Sequence, residues 1–129
     1  MRNISFALTT EQVRNQTKDV TRRLGWLFLE PGHRLQPVVK VMGLKRGQRV
    51  ERIGDPVRVI SRRSERLRRM ADEQEYGRRE CQREGFPHLS PAKFITMFCA
   101  THRGCTPETI ITRIEISYRA NTSATGGRA

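Results

Sequence analysis

The chain has 129 residues, a formal net charge of +12 and a sequence pI near 11.1, and 36% of its residues are hydrophobic. A chain of this length forms one domain with its own core, and this hydrophobic content excludes a fully disordered protein. No apolar run approaches the roughly 20 residues that cross a bilayer, so we expect no membrane association.

The positive charge points to the class of partner. All but four of the 25 basic residues are arginines, and the planar guanidinium group suits bidentate contacts to phosphate and to guanine edges. A genomic bias toward arginine explains why arginine is used instead of lysine, but it explains the net excess of positive charge less well. We therefore expect a monomer that binds RNA or a nucleotide ligand.

The first part of the chain predicts a strand, a helix and an apolar run. Residues 2–8 alternate as a strand does, and a short helix, capped by a threonine, follows to about residue 17. An apolar run at residues 26–29 ends at a Pro-Gly turn. Because residues 4–8 form a strand pattern rather than a signal-peptide core, and because three cysteines cannot all pair with one another, we expect reduced thiols and a cytoplasmic location.

The middle of the chain predicts three strands. Residues 34–42, 49–53 and 57–63 have strand-like alternation and are separated by loops that contain glycine. Pro37 implies that the first of these strands lies at an edge or contains a bulge, because proline cannot donate to the hydrogen-bond ladder.

The last part of the chain predicts two helices and a final strand. Residues 65–84 are highly charged and predict a helix that ends at Gly85. Ser90 as N-cap and Pro91 in the first turn begin the clearest helix of the chain. Residues 109–118 alternate as a strand does.

These elements predict an α+β fold. Helices set among antiparallel-looking strands favour one domain over residues 1–119, built on a small curved sheet or open β-barrel with flanking helices. Residues 120–129 are small and polar and predict a disordered tail.

A possible metal site lies in the second half of the chain. Cys99, His102 and Cys105 have a Cys-x2-His-x2-Cys spacing, and Cys81 and His88 lie upstream. Zinc needs about four such ligands in a tetrahedral array. Because Cys99 falls on the apolar face of a predicted helix, a buried thiol is favoured, and we expect no metal and no cofactor.

The most distinctive chemistry lies in residues 17–23. Lys18, Thr21 and Arg23 combine a tunable base, a hydroxyl group and a fixed cation. Such a set can bind a phosphate or the polar edge of a base, and it can activate a hydroxyl nucleophile when the lysine is neutral. A solvated basic turn between a helix and a strand is the alternative.

Taken together, residues from about 2 to 118 resemble the ASCH family of the PUA-like superfamily. The family motif is glycine, any residue, lysine, any two residues, glutamate, any residue, arginine. In this chain the four motif positions are held by Gln16, Lys18, Thr21 and Arg23. Residues 30–33, residues 83–86 ahead of the Ser90 helix, and residues 112–115 also resemble the family. The resemblance implies a PUA-like curved sheet or open barrel with a cleft for RNA or a nucleoside-like ligand.

Thr21, in place of the usual glutamate, makes the motif similar to that of the acetylcytidine amidohydrolase branch of the family. That branch uses a lysine, a threonine three residues later and a downstream glutamate. The resemblance implies catalytic roles for Lys18 as base, Thr21 as nucleophile and Glu84 as the residue that moves the proton or orients the lysine. Glu80 is the second choice for the third role. The alternative is an ordinary Lys18–Glu84 salt bridge beside a strand hydroxyl.

We expect an RNA-binding or modified-nucleoside-binding protein with a basic cleft. The alternatives are a hydrolase acting on a modified pyrimidine nucleoside and a single-strand RNA ribonuclease that uses the same cleft, so catalysis stays an open question. The residues expected to contact nucleic acid are Lys18, Arg22, Arg23, Trp26, Arg62 and Arg63. The last two begin an arginine-rich stretch that either contacts phosphates or pairs with acidic neighbours such as Glu65.

Overall fold

A five-stranded mixed sheet forms the centre of the computed structural model, which describes residues 1–119. The predicted tail, residues 120–129, lies outside the described residues. The strands are β1 (Arg2–Ser5), β2 (Val20–Arg23), β3 (Arg34–Val38), β4 (Val57–Arg66) and β5 (Ile110–Ser117). The helices are α1 (Thr10–Arg14), α2 (Arg69–Asp72), α3 (Gln74–Arg83) and α4 (Pro91–Ala100), and a 3-10 turn (Ala7–Thr9) precedes α1. The predicted α+β class is confirmed.

The strand order is β1-β3-β4-β5-β2, and only β1 and β3 run parallel. The register of β4 against β5 shifts between Val59 and Ser61, an irregularity of the kind that bends a strand and increases its twist. The sheet curves enough to bring its two edge strands together, since the Arg23 guanidinium on β2 donates a hydrogen bond to the Ser5 carbonyl on β1 at 2.6 Å.

Apolar side chains cover both faces of the sheet. One face holds a core that includes Ile4, Leu35, Val57, Val59, Ile114 and Ile116. The other face packs on the helices through a second core that includes Leu67, Met70, Cys81, Phe94, Phe98 and Ile111. Both cores draw on β5, because successive side chains of a strand point to opposite faces.

The start of α4 follows its sequence signals. The Lys93 amide donates to the Ser90 hydroxyl at 3.2 Å, and Pro91 is the first helical residue. Ser90 therefore caps the helix as predicted. Gly85 follows the end of α3 with a φ of 93°, so the predicted helix end is also confirmed.

Several predicted boundaries were wrong. The predicted helix over residues 65–84 begins too early, because β4 continues to Arg66, and its remainder divides into α2 and α3. The predicted strand at residues 49–53 is reduced to a single bridge between Arg52 and Val38. The first strand and the first helix are also shorter than predicted, and β2 was not predicted as a strand.

Pro37 lies in an inner strand rather than at an edge. β3 pairs with β1 along its length but with β4 only through Arg34 and Leu35, so no β4 partner is opposite Pro37. Its carbonyl accepts the Ile53 amide at 2.9 Å. Proline is tolerated here because the pairing with β4 ends at Leu35, so the missing N–H leaves no β4 carbonyl without a donor. No helix among residues 1–119 is long and apolar enough to cross a membrane.

Candidate functional site

A cavity of about 260 Å³ opens between the N-terminal turn, β2, the end of α3 and α4. One wall is polar and is formed by Lys18, Thr21, Arg22, Arg23 and Glu84. The rest of the lining is mostly apolar and includes Phe6, Phe86, Phe94, Met97, Phe98 and His102. The three residues predicted to be catalytic therefore line one cavity.

Hydrogen bonds of Gln12 hold the two chain segments of the polar wall together. The Gln12 carbonyl accepts the Lys18 amide at 3.3 Å, and the Gln12 side-chain amide donates to the Gly85 carbonyl at 3.1 Å. Gln12 thus joins the segment that carries Lys18 to the segment that carries Glu84. Gly85 fits this position because of its positive φ, and because a Cβ there would lie 2.9 Å from the Gln12 Cγ.

Lys18 and Glu84 form a buried ion pair. The Lys18 Nζ donates to the Glu84 Oε1 and to the Glu84 carbonyl oxygen, both at 2.7 Å, and each residue is 3% exposed. Burial lowers the pKa of Lys18 below its ordinary value, although the Glu84 carboxylate opposes that shift. The structure therefore brings Lys18 to Glu84.

Glu80, the second choice for the third role, belongs to a different contact. Its carboxylate accepts two hydrogen bonds from Arg113, at 2.6 and 3.0 Å, and one from Arg22 at 2.7 Å. Burial works against the carboxylate, but the hydrogen bonds and charges of Arg113 and Arg22 hold the pKa of Glu80 at about 2. Glu80 makes no hydrogen bond to Lys18 within the described residues.

Arg22 is a buried part of the polar wall and is paired three times. Its nitrogens lie 2.7 Å from Glu80, 3.0 Å from Glu65 and 3.1 Å from Glu84. Burial opposes the charge, but these carboxylates outweigh it and raise the pKa of Arg22. These ion pairs join β2, β4 and α3, and a contact of Arg22 with nucleic acid stays a prediction.

Arg23 has no carboxylate partner among residues 1–119. Its Nε donates to the Thr21 hydroxyl oxygen at 3.0 Å, and its guanidinium carbon lies 4.9 Å from the centre of the Phe6 ring. Burial lowers the pKa of Arg23 to about 10, and the charge of Glu84 opposes that shift. Because the Arg23 hydrogen bond occupies only a lone pair of Thr21, the threonine hydroxyl keeps its own proton to donate. No hydrogen bond joins Thr21 to Lys18 in the part of the chain described.

The charges around the polar wall do not balance. The positive groups are Lys18, Arg22, Arg23 and Arg113, and the negative groups are Glu65, Glu80 and Glu84. Arg63 and Arg69 also contact Glu65, so the positive groups outnumber the negative ones, and Arg23 is the one of the four without an ion pair among residues 1–119. A site with a desolvated surplus cation favours an anion or a strongly polar carbonyl group.

The other predicted contact residues lie outside the cavity lining. Trp26 stacks on Phe28, with ring centroids 5.6 Å apart. Arg62 donates to the Leu29 carbonyl at 3.1 Å, and Arg63 pairs with Glu65 at 3.0 Å.

The arginines that follow β4 are paired as well. Arg68 contacts Asp72 and Glu108, and Arg69 contacts Glu65 and Glu73. Most arginines of this stretch therefore pair with acidic neighbours, while contacts of Arg62 and Arg63 with phosphates stay a prediction.

The cysteine and histidine cluster has another arrangement than a metal site. The Cys99 and Cys105 sulfur atoms lie 3.2 Å apart, and the His102 ring stacks on Phe98 with centroids 3.9 Å apart. No group of three or more potential metal ligands occurs among residues 1–119. His102 instead lines the cavity, and its Nδ1 lies 2.8 Å from the Phe98 carbonyl oxygen.

Sequence analysis missed the apolar lining of the cavity. Phe94, Met97, Phe98, Thr101 and His102 are spaced i, i+3, i+4, i+7 and i+8 from the first turn of α4. That spacing predicts one helical face, but sequence analysis used the apolar face of this helix only to infer a buried Cys99 thiol. Comparison of this chain with protein-family models, with curated proteins and with solved structures gave no match.

Proposed function

We propose that this chain is an ASCH-like, PUA-like protein that binds RNA or a modified nucleoside, with one nucleoside held in the cavity. The observation that supports this proposal most is the pairing of a polar wall, which carries the unneutralised Arg23, with an aromatic wall. A nucleoside has a flat π-face and a polar edge, so it matches both walls.

The size of the cavity limits the ligand. A volume of about 260 Å³ is below the roughly 300–1,000 Å³ of pockets that take drug-sized ligands. It suits one base or nucleoside rather than a folded nucleic acid. An RNA would therefore have to place a single unstacked nucleotide there.

The polar wall supplies donors for the ligand. Arg23 uses Nε for Thr21 and one terminal nitrogen for Ser5, so further N–H groups of its fork stay available for a carbonyl or a phosphate oxygen. The His102 and Phe98 rings, which stack on each other, also line the cavity, and the base would stack on a ring face that this pair leaves uncovered.

Binding is tested by calorimetric titration with cytidine, acetylcytidine, uridine and adenosine at low salt. Replacing Arg23 by Gln should weaken binding of the preferred nucleoside about tenfold, since a charge-assisted hydrogen bond contributes about 1.5–3 kcal/mol. Arg63→Gln removes the same charge outside the cavity and should leave the affinity unchanged. If neither a nucleoside nor single-stranded RNA binds, the proposed function is wrong.

Hydrolysis of an amide bond on a modified pyrimidine is the second candidate. It is favoured by the buried Lys18 with its lowered pKa, which lines the same cavity as the Thr21 hydroxyl. A neutral Lys18 would take the Thr21 proton as the threonine oxygen attacks the acyl carbon. The lysine would return that proton to the leaving amine, and water would then hydrolyse the acyl-threonine ester. Glu84 would orient the lysine.

Chromatography of acetylcytidine and of single-stranded RNA after incubation with the protein separates the candidates. Release of cytidine identifies the hydrolase, and shortened RNA identifies a ribonuclease. If neither substrate changes under excess protein, binding without catalysis is the remaining candidate. In a hydrolase, Lys18→Ala and Thr21→Val should each abolish turnover, whereas Thr21→Ser should keep part of it because the hydroxyl remains. Thr21→Ser with no more activity than Thr21→Val would exclude a threonine nucleophile.

A further inference from the structure

An exposed aromatic surface lies beyond the end of β2. It consists of Arg2, Leu24, Trp26, Leu27 and Phe28 and is called the aromatic platform below. Phe28 is 50% exposed and Leu27 is 60% exposed. The Trp26 and Phe28 rings stack at an interplanar angle of 28°, and the Arg2 guanidinium carbon lies 4.6 Å from the centre of the Phe28 ring.

The backbone holds Trp26 in an unusual conformation. Trp26 has a φ of 58° and follows Gly25, which has a φ of 82°. A positive φ is a genuine outlier for a bulky residue, and such strain persists where surrounding contacts enforce it, often at ligand-binding positions. Here the Thr112 hydroxyl donates to the Gly25 carbonyl, and the Trp26 side chain packs against the core. The ring is therefore held in place before any ligand arrives.

The aromatic platform continues from the cavity. Ser5 and Arg23 line the cavity and are joined by a hydrogen bond. Arg2 lies three residues before Ser5, and Trp26 lies three residues after Arg23. The Arg2 guanidinium carbon lies 6.0 Å from the centre of the Trp26 ring. Three residues of extended strand span about 10 Å, which is a distance that one or two nucleotides of an extended single strand can cross.

We propose that the aromatic platform stacks the bases of a single-stranded nucleic acid whose neighbouring nucleotide occupies the cavity. This inference rests on the proposed function and specifies its ligand as a short single strand rather than a free nucleoside. Aromatic rings accept any base by stacking, and an adjacent arginine supplies charge for the phosphate between bases. Arg2 makes no ion pair with a carboxylate among residues 1–119, and the net charge of +12 favours a polyanion over an apolar protein partner.

The test uses the fluorescence of Trp26, which is the single tryptophan of the chain. The free nucleoside that binds best is compared with a tetranucleotide that contains the same nucleoside. The tetranucleotide should bind at least about tenfold more tightly, because stacking of one base contributes about 1–3 kcal/mol. It should also quench Trp26, whereas the free nucleoside should leave the emission nearly unchanged.

Phe28→Ala separates the two sites. This variant should lose about tenfold in affinity for the tetranucleotide, by the same stacking contribution, and should bind the free nucleoside as the wild type does. Ile110→Ala, which truncates a side chain that is 59% exposed on β5, should change neither affinity.

Four results would overturn the inference. A tetranucleotide that binds no better than the free nucleoside would overturn the inference but leave the proposed function intact. Equal losses of both ligands in Phe28→Ala would show that Phe28 supports the fold of the cavity. Self-association of the wild type that Phe28→Ala abolishes would identify a second copy of the chain as the occupant. If neither ligand binds, the inference and the proposed function fail together.

Discussion

Two glutamates of one helix end have separate roles in this protein. Glu80 and Glu84 are four residues apart and lie on the same side of the end of α3. Glu80 neutralises Arg113, Glu84 neutralises Lys18, and Arg22 contacts both. Because each of these five charges has a partner, removing one carboxylate leaves an uncompensated cation in the interior.

This network predicts an acid-sensitive stability. Burial works against the carboxylate, but pairing with Arg113 and Arg22 outweighs burial and holds the folded-state pKa of Glu80 at about 2, below the ordinary glutamate value of 4.5. A lowered carboxyl pKa contributes stability that is fully present above pH 4.5 and is lost as the pH falls toward 2. Glu80→Gln should therefore be less stable than the wild type by about 3 kcal/mol at pH 7, since it breaks a buried pair. The difference should shrink progressively below pH 4.5.

Urea unfolding at pH 7, 4 and 2.5 measures this effect. Glu75→Gln is the matched control, because Glu75 is an exposed carboxylate on the same helix, and it should change stability by no more than about 0.5 kcal/mol. A difference between Glu80→Gln and wild type that stays constant across these pH values would contradict the low pKa.

At the scale of single residues, burial limits what the sequence can predict. Lys18 and Glu84 were identified because a lysine is rare in this arginine-rich chain and because the family resemblance marks both positions. The ion pairs of Arg22 could not be predicted, because nothing in a run of charged residues signals that one of them is buried. They depend on α3, which places Glu80 and Glu84 beside β2.

At the scale of elements, β2 shows why short strands are hard to predict. Val20–Arg23 has two adjacent arginines and therefore lacks the alternation of apolar and polar residues that marks a strand. The two arginines nevertheless lie on opposite faces, with Arg22 toward the acidic groups of α3 and Arg23 toward Phe6. Pairing of β2 with β5 creates the strand, and no local signal in the sequence encodes that pairing.

The contact between α2 and α3 requires a glycine. A Cβ on Gly77 would lie 1.9 Å from the Met70 carbonyl oxygen and 2.8 Å from the Pro91 Cγ. Gly77→Ala should therefore destabilise the protein, because overpacking costs about 1–3 kcal/mol or more. That cost exceeds the roughly 1 kcal/mol that alanine contributes through helix propensity.

Thermal and urea unfolding of Gly77→Ala check this expectation. Arg78→Ala makes a similar change at the next, exposed position of α3 and should stay within about 0.5 kcal/mol of wild type. A Gly77→Ala protein as stable as Arg78→Ala would mean that α2 and α3 do not approach this closely.

At the scale of the whole molecule, the α+β class followed from the pattern of elements, but the topology did not. The order β1-β3-β4-β5-β2 depends on long-range pairings. The distribution of charge could not be predicted from the sequence either, because it depends on which arginines form ion pairs with carboxylates. The stretch with the most arginines, from Arg62 to Arg69, is largely neutralised in the folded protein.

A less conspicuous segment keeps its positive charge. Residues 40–52, called the basic loop here, contain five basic residues and one acidic residue, which are Lys40, Lys45, Arg46, Arg49, Arg52 and Glu51. All six are exposed, and none of the basic ones forms an ion pair with a carboxylate within the described part of the chain. Unpaired exposed cations contact phosphates at a lower cost than cations that must first leave a carboxylate partner.

The basic loop should therefore carry more of the salt-dependent affinity for RNA than the arginines after β4. The double variant Lys45→Gln/Arg46→Gln should weaken binding of a single-stranded RNA and reduce the slope of log K against log salt by about 1.4, since each of the two lost phosphate contacts contributes about 0.7. The matched control Arg66→Gln/Arg68→Gln removes the same charge from residues that already pair with Glu108, and it should change the slope by less than half as much. Fluorescence anisotropy between 50 and 200 mM salt measures both slopes, in the range where such contacts dominate. Equal slope changes in the two variants, or equal affinity of the wild type for heparin and for RNA, would show that RNA responds only to the total charge of the molecule.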